Sequence, residues 1–201
     1  VQRRWRQTPG ARTPEGRTPT FYLTDLFPHV ESTARVAVAH RDHAIAVDSP
    51  VDATAVPATF DHDTRTLFNA FHHFPPPLAK RIPADAVGQR KAIFIYEGFP
   101  RSPLRLGPSM PFMAVSMMTH PLRTRRHWLL KALFIWLVPL VPLAGLWDAF
   151  ASSMRVHNEA ELREMVADLD PNYSWAYRET RYGSDGLATG FWGIPAVCKA
   201  R

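Results

Sequence analysis

The stretch Arg65-Thr66-Leu67-Phe68-Asn69-Ala70-Phe71-His72-His73-Phe74 decides the fold, because it is typical of a buried strand that ends in polar side chains before three prolines. An earlier apolar run ends in Asp25, and a later one, residues 92–96, is followed by Glu97. Ligands of open α/β sheets bind at the carboxyl ends of the strands. The three strand ends therefore predict a ligand crevice.

Apolar runs alternate with helix-like segments along the first half of the chain. This alternation predicts an α/β fold with a doubly wound, mostly parallel sheet. The predicted strands are 20–24, 44–47, 65–70 and 91–96, and the predicted helices between them are 31–40 and 78–87.

The C-terminal part of the chain carries two further structural signals. Asn158 and Glu161 have the spacing of a capping box, which predicts the start of a helix. Residues 174–181 and 187–194 flank the turn-forming stretch Gly183-Ser184-Asp185-Gly186. We therefore expect an antiparallel hairpin at the end of the domain.

Composition limits the classes of function. The 201 residues suffice for one substantial domain, and the net charge is +6. A basic segment, 1–19, is expected to be irregular, and without an aromatic RNA-binding pattern it does not favour nucleic acid. The single Cys198 excludes a disulfide framework within the chain. No secretory signal is visible, so we expect a cytoplasmic location, with membrane association left open.

Four motifs, taken in order, resemble the class I S-adenosylmethionine (SAM)-dependent methyltransferases, whose fold is Rossmann-like. Residues 24–28 resemble the second-strand acid motif of that family, and residues 51–57 resemble the loop after its third strand. Residues 65–74, with the prolines, resemble the fourth-strand region, and residues 93–97 resemble the fifth strand.

The resemblance implies SAM as cofactor and assigns residues to it. Asp25, followed by Leu26, would accept hydrogen bonds from the ribose hydroxyls, and such charge-assisted bonds are strong. Asp52 would accept the adenine amino group, with the backbone of Ala53 against the ring. Asn69 would lie beside the methionine half. Turn formation is the structural alternative for both acids.

The candidates for catalysis are His72, His73 and Glu97. Adjacent residues of an extended segment point to opposite sides, so we expect one histidine to face the reaction centre as general base and the other to pack. Glu97 is the reserve base or a substrate anchor. A purely structural use of both histidines stays open, and a metal at Asp61-His62-Asp63 is less favoured than a solvated loop.

The chain departs from the family in its first motif, because no glycine-rich loop and no first strand are present. That strand is central in the family. We therefore expect residues 20–201 to form one methyltransferase-like domain that lacks it, with an insertion at about 100–157. A segment preceding Val1 or a partner chain would supply the strand.

The apolar segment 132–147 has no charged residue. It is shorter than the roughly 20 residues of a transmembrane helix and contains two prolines. A buried or substrate-covering insertion is the first interpretation. Peripheral membrane contact through 128–147 is the second, since three tryptophans and flanking arginines suit a lipid headgroup boundary.

These expectations combine into one functional hypothesis and its rivals. The first is methyl transfer from SAM to a small, largely apolar acceptor, a displacement that needs alignment above all. The alternative is a catalytically inactive methyltransferase-like binding or membrane-associated partner subunit, which the absent glycine loop favours. A metal-dependent hydrolase is third, and it depends only on the histidines and the Asp61-His62-Asp63 cluster.

Overall fold

The computed structural model describes residues 19–123, 127–182 and 186–196. These residues belong to two compact units, Val1–Thr59 and Phe60–Arg201. The arginines of the basic N-terminal segment, Cys198 and the predicted hairpin turn at 183–185 lie outside the described residues. The predicted extent of a single domain from residue 20 stays a prediction.

The first unit is a small β-α-β arrangement. Strands β1 and β2 pair in parallel, with helix α1 between them in the chain. The helix begins where the Nδ1 atom of His29 accepts a hydrogen bond from Ser32 N–H at 3.4 Å. Within residues 19–59 only Val51 and Thr54 are buried. The bounds are β1 Phe21–Leu23, α1 Val30–Ala39 and β2 Ala44–Ala46.

The second unit contains a four-stranded sheet in the order β3-β4-β6-β5. Strands β3 and β4 are parallel and are linked by helix α2, whose first turn tolerates prolines because its N–H groups need no partner within the helix. Strand β6 lies antiparallel between β4 and β5. The bounds are β3 Thr64–Phe68, α2 Pro76–Gly88, β4 Ala92–Glu97, β5 Tyr173–Tyr182 and β6 Gly186–Pro195.

The α/β class and the antiparallel C-terminal hairpin are confirmed, whereas the doubly wound, mostly parallel sheet is not. The strands form two separate sheets, and two of the three pairings in the larger sheet are antiparallel. The physical reason is the hairpin: β6 takes the edge of β4 that a further parallel strand would otherwise occupy.

A run of helices follows β4, in the region where the sequence predicted an insertion. The part 98–123 of this region is helical over much of its length. The apolar part is broken at Pro139, which ends one helix and precedes the next. The helices are α3 Pro103–Leu106, α4 Met110–Met118, α5 His120–Arg123, α6 Trp128–Ala132 with a π-turn at Leu133–Leu137, α7 Leu140–Arg155 and α8 Glu159–Val166.

Within the described ranges, no single helix is long and apolar enough to cross a membrane. The segments Trp128–Leu137 and Leu140–Arg155 reach that length and composition only when taken together, and they are bent by 70° at their junction.

The core of the second unit lies between the sheet and its flanking helices. Ile82 of α2 and Ile93 of β4 are almost fully buried, as is Val156 after α7. Helix α8 has the predicted capping box: Asn158 Oδ1 accepts from Glu161 N–H at 2.9 Å, and Glu161 accepts from Asn158 N–H at 3.1 Å. This core positions the ends of β3 and β4 beside the N-terminal turn of α2.

Candidate functional site

A buried histidine–glutamate pair lies where β3 and β4 end. The His72 Nδ1 atom is 2.8 Å from Glu97 Oε2, and the His72 backbone N–H donates to Glu97 Oε1 at 3.0 Å. Both side chains are at most 5% exposed. A carboxylate oxygen accepts, so Nδ1 is the His72 ring nitrogen that donates to Glu97, and Nε2 is the ring nitrogen that this contact does not use.

The turn between β3 and His72 explains how the pair forms. Asn69 has a φ of 50°, which turns the chain sharply at the end of β3. Its N–H donates to Tyr96 carbonyl at 2.8 Å, and its Oδ1 accepts from Gly98 N–H at 2.6 Å. Asn69 therefore ties the ends of β3 and β4 together, which brings His72 over Glu97.

The prediction that His72 and His73 point to opposite sides was wrong. The strand ends at Phe68, and Phe71–His73 is a 3₁₀ turn, in which successive side chains do not alternate across a sheet. The two rings therefore lie with their centroids 4.1 Å apart. His73 is exposed, whereas His72 is buried and also contacts the edge of Phe99.

A cavity of about 900 Å³ opens beside this pair. The start of α2 forms one apolar wall, and Met154 and Met165 contribute another. Charged groups are interspersed with the apolar ones. The lining residues are His72, His73, Phe74, Pro75, Pro76, Pro77, Lys80, Arg101, Met154, Arg155, His157, Glu161, Glu164 and Met165.

A second polar cluster faces the same cavity. Arg101 Nη1 lies 2.6 Å from Glu161 Oε2, and this hydrogen bond holds the pKa of Glu161 below its ordinary value, with burial acting in the opposite direction. His157 Nδ1 is 3.6 Å from the same carboxylate. The His157 Nε2 atom is buried and has no hydrogen-bond partner among the described residues.

Sequence reasoning missed this second cluster. Arg101, His157 and Glu161 are distant from the histidine motif in the chain, and they meet it only because α8 packs against α2. Glu161 was noticed as a capping residue, which is also true. No local pattern distinguishes a capping glutamate that additionally binds an arginine from one that does not.

The two acids predicted to bind the cofactor leave the same end of the small parallel sheet. The Asp25 carbonyl accepts from Val51 N–H at 2.9 Å, which ties together the segments that follow β1 and β2. Asp25 Oδ1 accepts from Phe27 N–H at 2.8 Å, and Asp52 Oδ1 accepts from Thr54 N–H at 2.8 Å. Both acids therefore also form turns.

The other predicted cofactor contacts have different surroundings. Leu26 is exposed beside Asp25, and Ala53 is half-buried beside Asp52. Asn69 belongs to the second unit, where Gly98 N–H occupies its side-chain oxygen.

The metal alternative finds no support in the part of the chain that the structure describes. No group of three His, Cys, Asp or Glu side chains is arranged to hold a metal ion there. His62 is instead bound on both ring nitrogens, to Phe60 carbonyl at 2.8 Å and to Arg65 Nε at 3.1 Å.

Comparison with known proteins gives matches in structure only. No protein-family model matches the chain, and no curated protein matches it in sequence. One similar structure is LepI in complex with SAM, with 12% identity and a TM-score of 0.49, covering 90% of this chain and 37% of LepI. A LepI variant with S-adenosylhomocysteine (SAH) and a substrate analogue has 13% identity and a TM-score of 0.46, covering 89% and 37%.

A candidate O-methyltransferase from Nostoc punctiforme PCC 73102 is also similar, with 12% identity and a TM-score of 0.44, covering 86% of this chain and 44% of that protein. The chain thus spans less than half the length of each of these proteins.

Proposed function

We propose that this chain is part of a SAM-dependent methyltransferase that acts on a small, largely apolar acceptor held in the cavity beside His72. The observation that carries the proposal is the buried His72–Glu97 pair, whose atoms are 2.8 Å apart at the ends of two parallel strands. Open α/β sheets bind ligands at this position.

His72 would act as the general base. Its Nε2 takes the proton of the acceptor as the nucleophilic atom of the acceptor attacks, and the imidazolium that forms is stabilised by Glu97. Because Glu97 binds both the ring and the backbone N–H of His72, the ring is held in one orientation. Such positioning lowers the entropic part of the barrier.

SAM, when bound, would supply the methyl group, and breaking the methyl–sulfur bond would leave SAH as the second product. The residues of the first unit that would hold SAM are Asp25, Leu26, Asp52 and Ala53. The arrangement within the first unit fits, since both acids follow paired parallel strands at the same sheet end. A carboxylate that caps a turn with one oxygen retains further acceptor capacity for ribose or adenine groups.

The cavity wall supports the acceptor class. Phe74, the three prolines, Met154 and Met165 offer an apolar surface next to the proposed base. Methionine side chains adapt to irregular apolar shapes. The nucleophilic atom, an oxygen, nitrogen or carbon, would lie at His72.

The open edge of β3 would pair with a further strand, supplied by another segment or a partner chain. In support, β3 pairs only with β4 within the described residues. Asn69 N–H donates toward β4, so by alternation the amides of Thr66 and Phe68 point away from it.

Cofactor binding is the first test. We expect calorimetry to detect SAH binding by the protein and to detect a loss of at least about tenfold in Asp25→Asn, since a charge-assisted hydrogen bond is worth about 1.5–3 kcal/mol. This change keeps the turn-capping oxygen and removes the charge. Asp48→Asn, an exposed acid just after β2, is the matched control. Absence of SAH binding by the folded protein contradicts the proposal and favours an inactive partner subunit.

The base is the second test. Methyl transfer from labelled SAM to a panel of small phenols, amines and enolisable ketones would be measured for His72→Gln and His73→Gln. Loss of a general base lowers kcat by about 10²–10⁴-fold. We expect that loss for His72 and a small change for the exposed neighbour. Equal activity of both variants would rule out His72 as the base.

A further inference from the structure

Helix α7 buries polar side chains and exposes apolar ones. Ser152 and Ser153 are 5% and 0% exposed, and the Ser153 hydroxyl donates to Pro100 carbonyl at 2.8 Å. Leu143 and Trp147 of the same helix are 60% and 69% exposed. A surface helix of a globular protein normally buries its apolar stripe and exposes its polar one. This helix therefore presents its apolar side outward.

The outward side chains of α7 form a stripe. Leu140, Leu143, Trp147, Phe150 and Met154 recur every three or four residues, which places them along one helix face. All five are exposed. We call the exposed apolar side chains of Trp128–Leu137 and Leu140–Arg155 the apolar surface; in the first segment they are Trp128, Leu129, Leu130, Leu133, Phe134, Trp136 and Leu137.

Charge indicates what covers the apolar surface. The chain has no acidic residue between Arg105 and Asp148, whereas it has four Lys or Arg there, and Asp148 is the single acid in residues 128–155. Arg123 and Lys131 lie next to the apolar surface in the chain. A second copy of this chain would bring the same positive charge, which is repulsive. Anionic lipid headgroups are complementary to it, and tryptophan is favoured at the headgroup boundary.

We propose that residues 128–155 attach this protein to the surface of an anionic membrane. The 70° bend between Trp128–Leu137 and Leu140–Arg155 keeps the pair from forming one straight span. In this proposal the two helices lie along the interface, with the apolar surface at the boundary between headgroups and acyl chains. The test of this attachment does not use His72 or the acids of the first unit, and Met154 is the member of the stripe that also lines the cavity beside His72.

The test is flotation of the full chain with vesicles of phosphatidylcholine alone or mixed equally with phosphatidylserine. We expect the protein to float with the mixed vesicles, and less at high salt. Leu143→Glu should weaken binding by at least about tenfold, since it puts a charge into the apolar stripe. The matched control is Ile194→Glu, because Ile194 is exposed to a similar extent (50%) on strand β6.

A second variant separates lipid charge from apolar contact. Arg123→Glu should weaken binding to the mixed vesicles by about fivefold or more, and binding to neutral vesicles very little, because each cation near an anionic surface contributes about 1 kcal/mol. Circular dichroism confirms that each variant folds.

Three outcomes overturn the proposal. One is that the folded protein floats with neither vesicle. Another is equal loss of binding in Leu143→Glu and Ile194→Glu. The third is a dimer in light scattering that Leu143→Glu converts to a monomer without any vesicle binding, which would assign the apolar surface to a second copy of the chain.

Discussion

Two neighbouring imidazoles have different chemical surroundings at the scale of single residues. His72 donates twice to one buried carboxylate, whereas His73 is exposed one position later. Of these two adjacent histidines, one is thus held in a fixed orientation and the other is solvated. The difference comes from the 3₁₀ turn, which points only the first ring at Glu97.

Glu161 gives a residue-scale prediction. Arg101→Met removes the hydrogen bond that lowers the Glu161 pKa, so NMR titration should show that pKa rise toward 4.5. The pKa of Glu161 is lower in the folded state than in the unfolded state. The ionised carboxylate therefore stabilises the fold at pH values above its unfolded-state pKa, and this stabilisation is lost as the pH falls through its folded-state pKa. Wild type should therefore lose more stability on acidification than the variant does.

The size of that effect is small, because Arg101 and Glu161 are 40% and 37% exposed. Screening by solvent limits such a pair to about 1 kcal/mol. Arg163→Met is the control: Arg163 pairs with Glu159 at 2.8 Å on the same helix, so it should leave the Glu161 titration unchanged. An unchanged Glu161 titration in Arg101→Met would contradict the assigned cause.

At the scale of elements, one buried ion pair joins β3 to α2. Arg65 Nη1 lies 2.5 Å from Asp85 Oδ2, and the arginine side chain is 7% exposed. An exposed pair, Lys80–Asp168 at 2.9 Å, joins α2 to the residues after α8. Both pairs are direct ion contacts, but only the first has a buried cation. Comparing their substitutions therefore shows how much burial adds to the contribution of an ion pair to stability.

Asp85→Ala should lower the free energy of unfolding by about 3 kcal/mol, because it leaves a buried guanidinium without its counter-charge. Lys80→Met should change it by less than about 1 kcal/mol, since that pair is solvated. Urea denaturation of both variants measures the difference. Similar losses in the two variants would show that burial of Arg65 does not decide the stability of this contact.

At the scale of the whole molecule, the two units differ in how much they bury. Within residues 19–59 only Val51 and Thr54 are buried, whereas the second unit has a continuous core around Ile82, Ile93 and Phe191. Stability is not uniform when burial is so uneven, because local opening has a lower cost where few apolar contacts are lost.

We therefore predict that the first unit opens before the second. Hydrogen exchange measured by mass spectrometry in increasing urea should release the amides of β1 and β2 at lower urea than those of β4 and β6. The β4 amides serve as the internal reference. A single concerted transition for peptides from both units would contradict the prediction.

Local sequence patterns were sufficient for most elements. The helix at Val30–Ala39, the capping box at Asn158 and the C-terminal hairpin were all predicted, because turn residues, caps and apolar periodicity act over a few residues. The boundary of β3 was predicted too far along the chain. Asn69 ends that strand by adopting a positive φ, a conformation that its own sequence context permits but does not require.

The residues alone determine three features, because each depends on near neighbours in the chain. These are the order of the apolar runs, the helix caps and the absence of a glycine-rich first motif. Two features depend on contacts between distant segments. One is the insertion of β6 between β4 and β5, which makes the larger sheet mixed, and the other is the meeting of His72, Arg101 and Glu161 around one cavity. Strand pairing and helix packing decide these, since their free energy comes from surfaces that become adjacent only after folding.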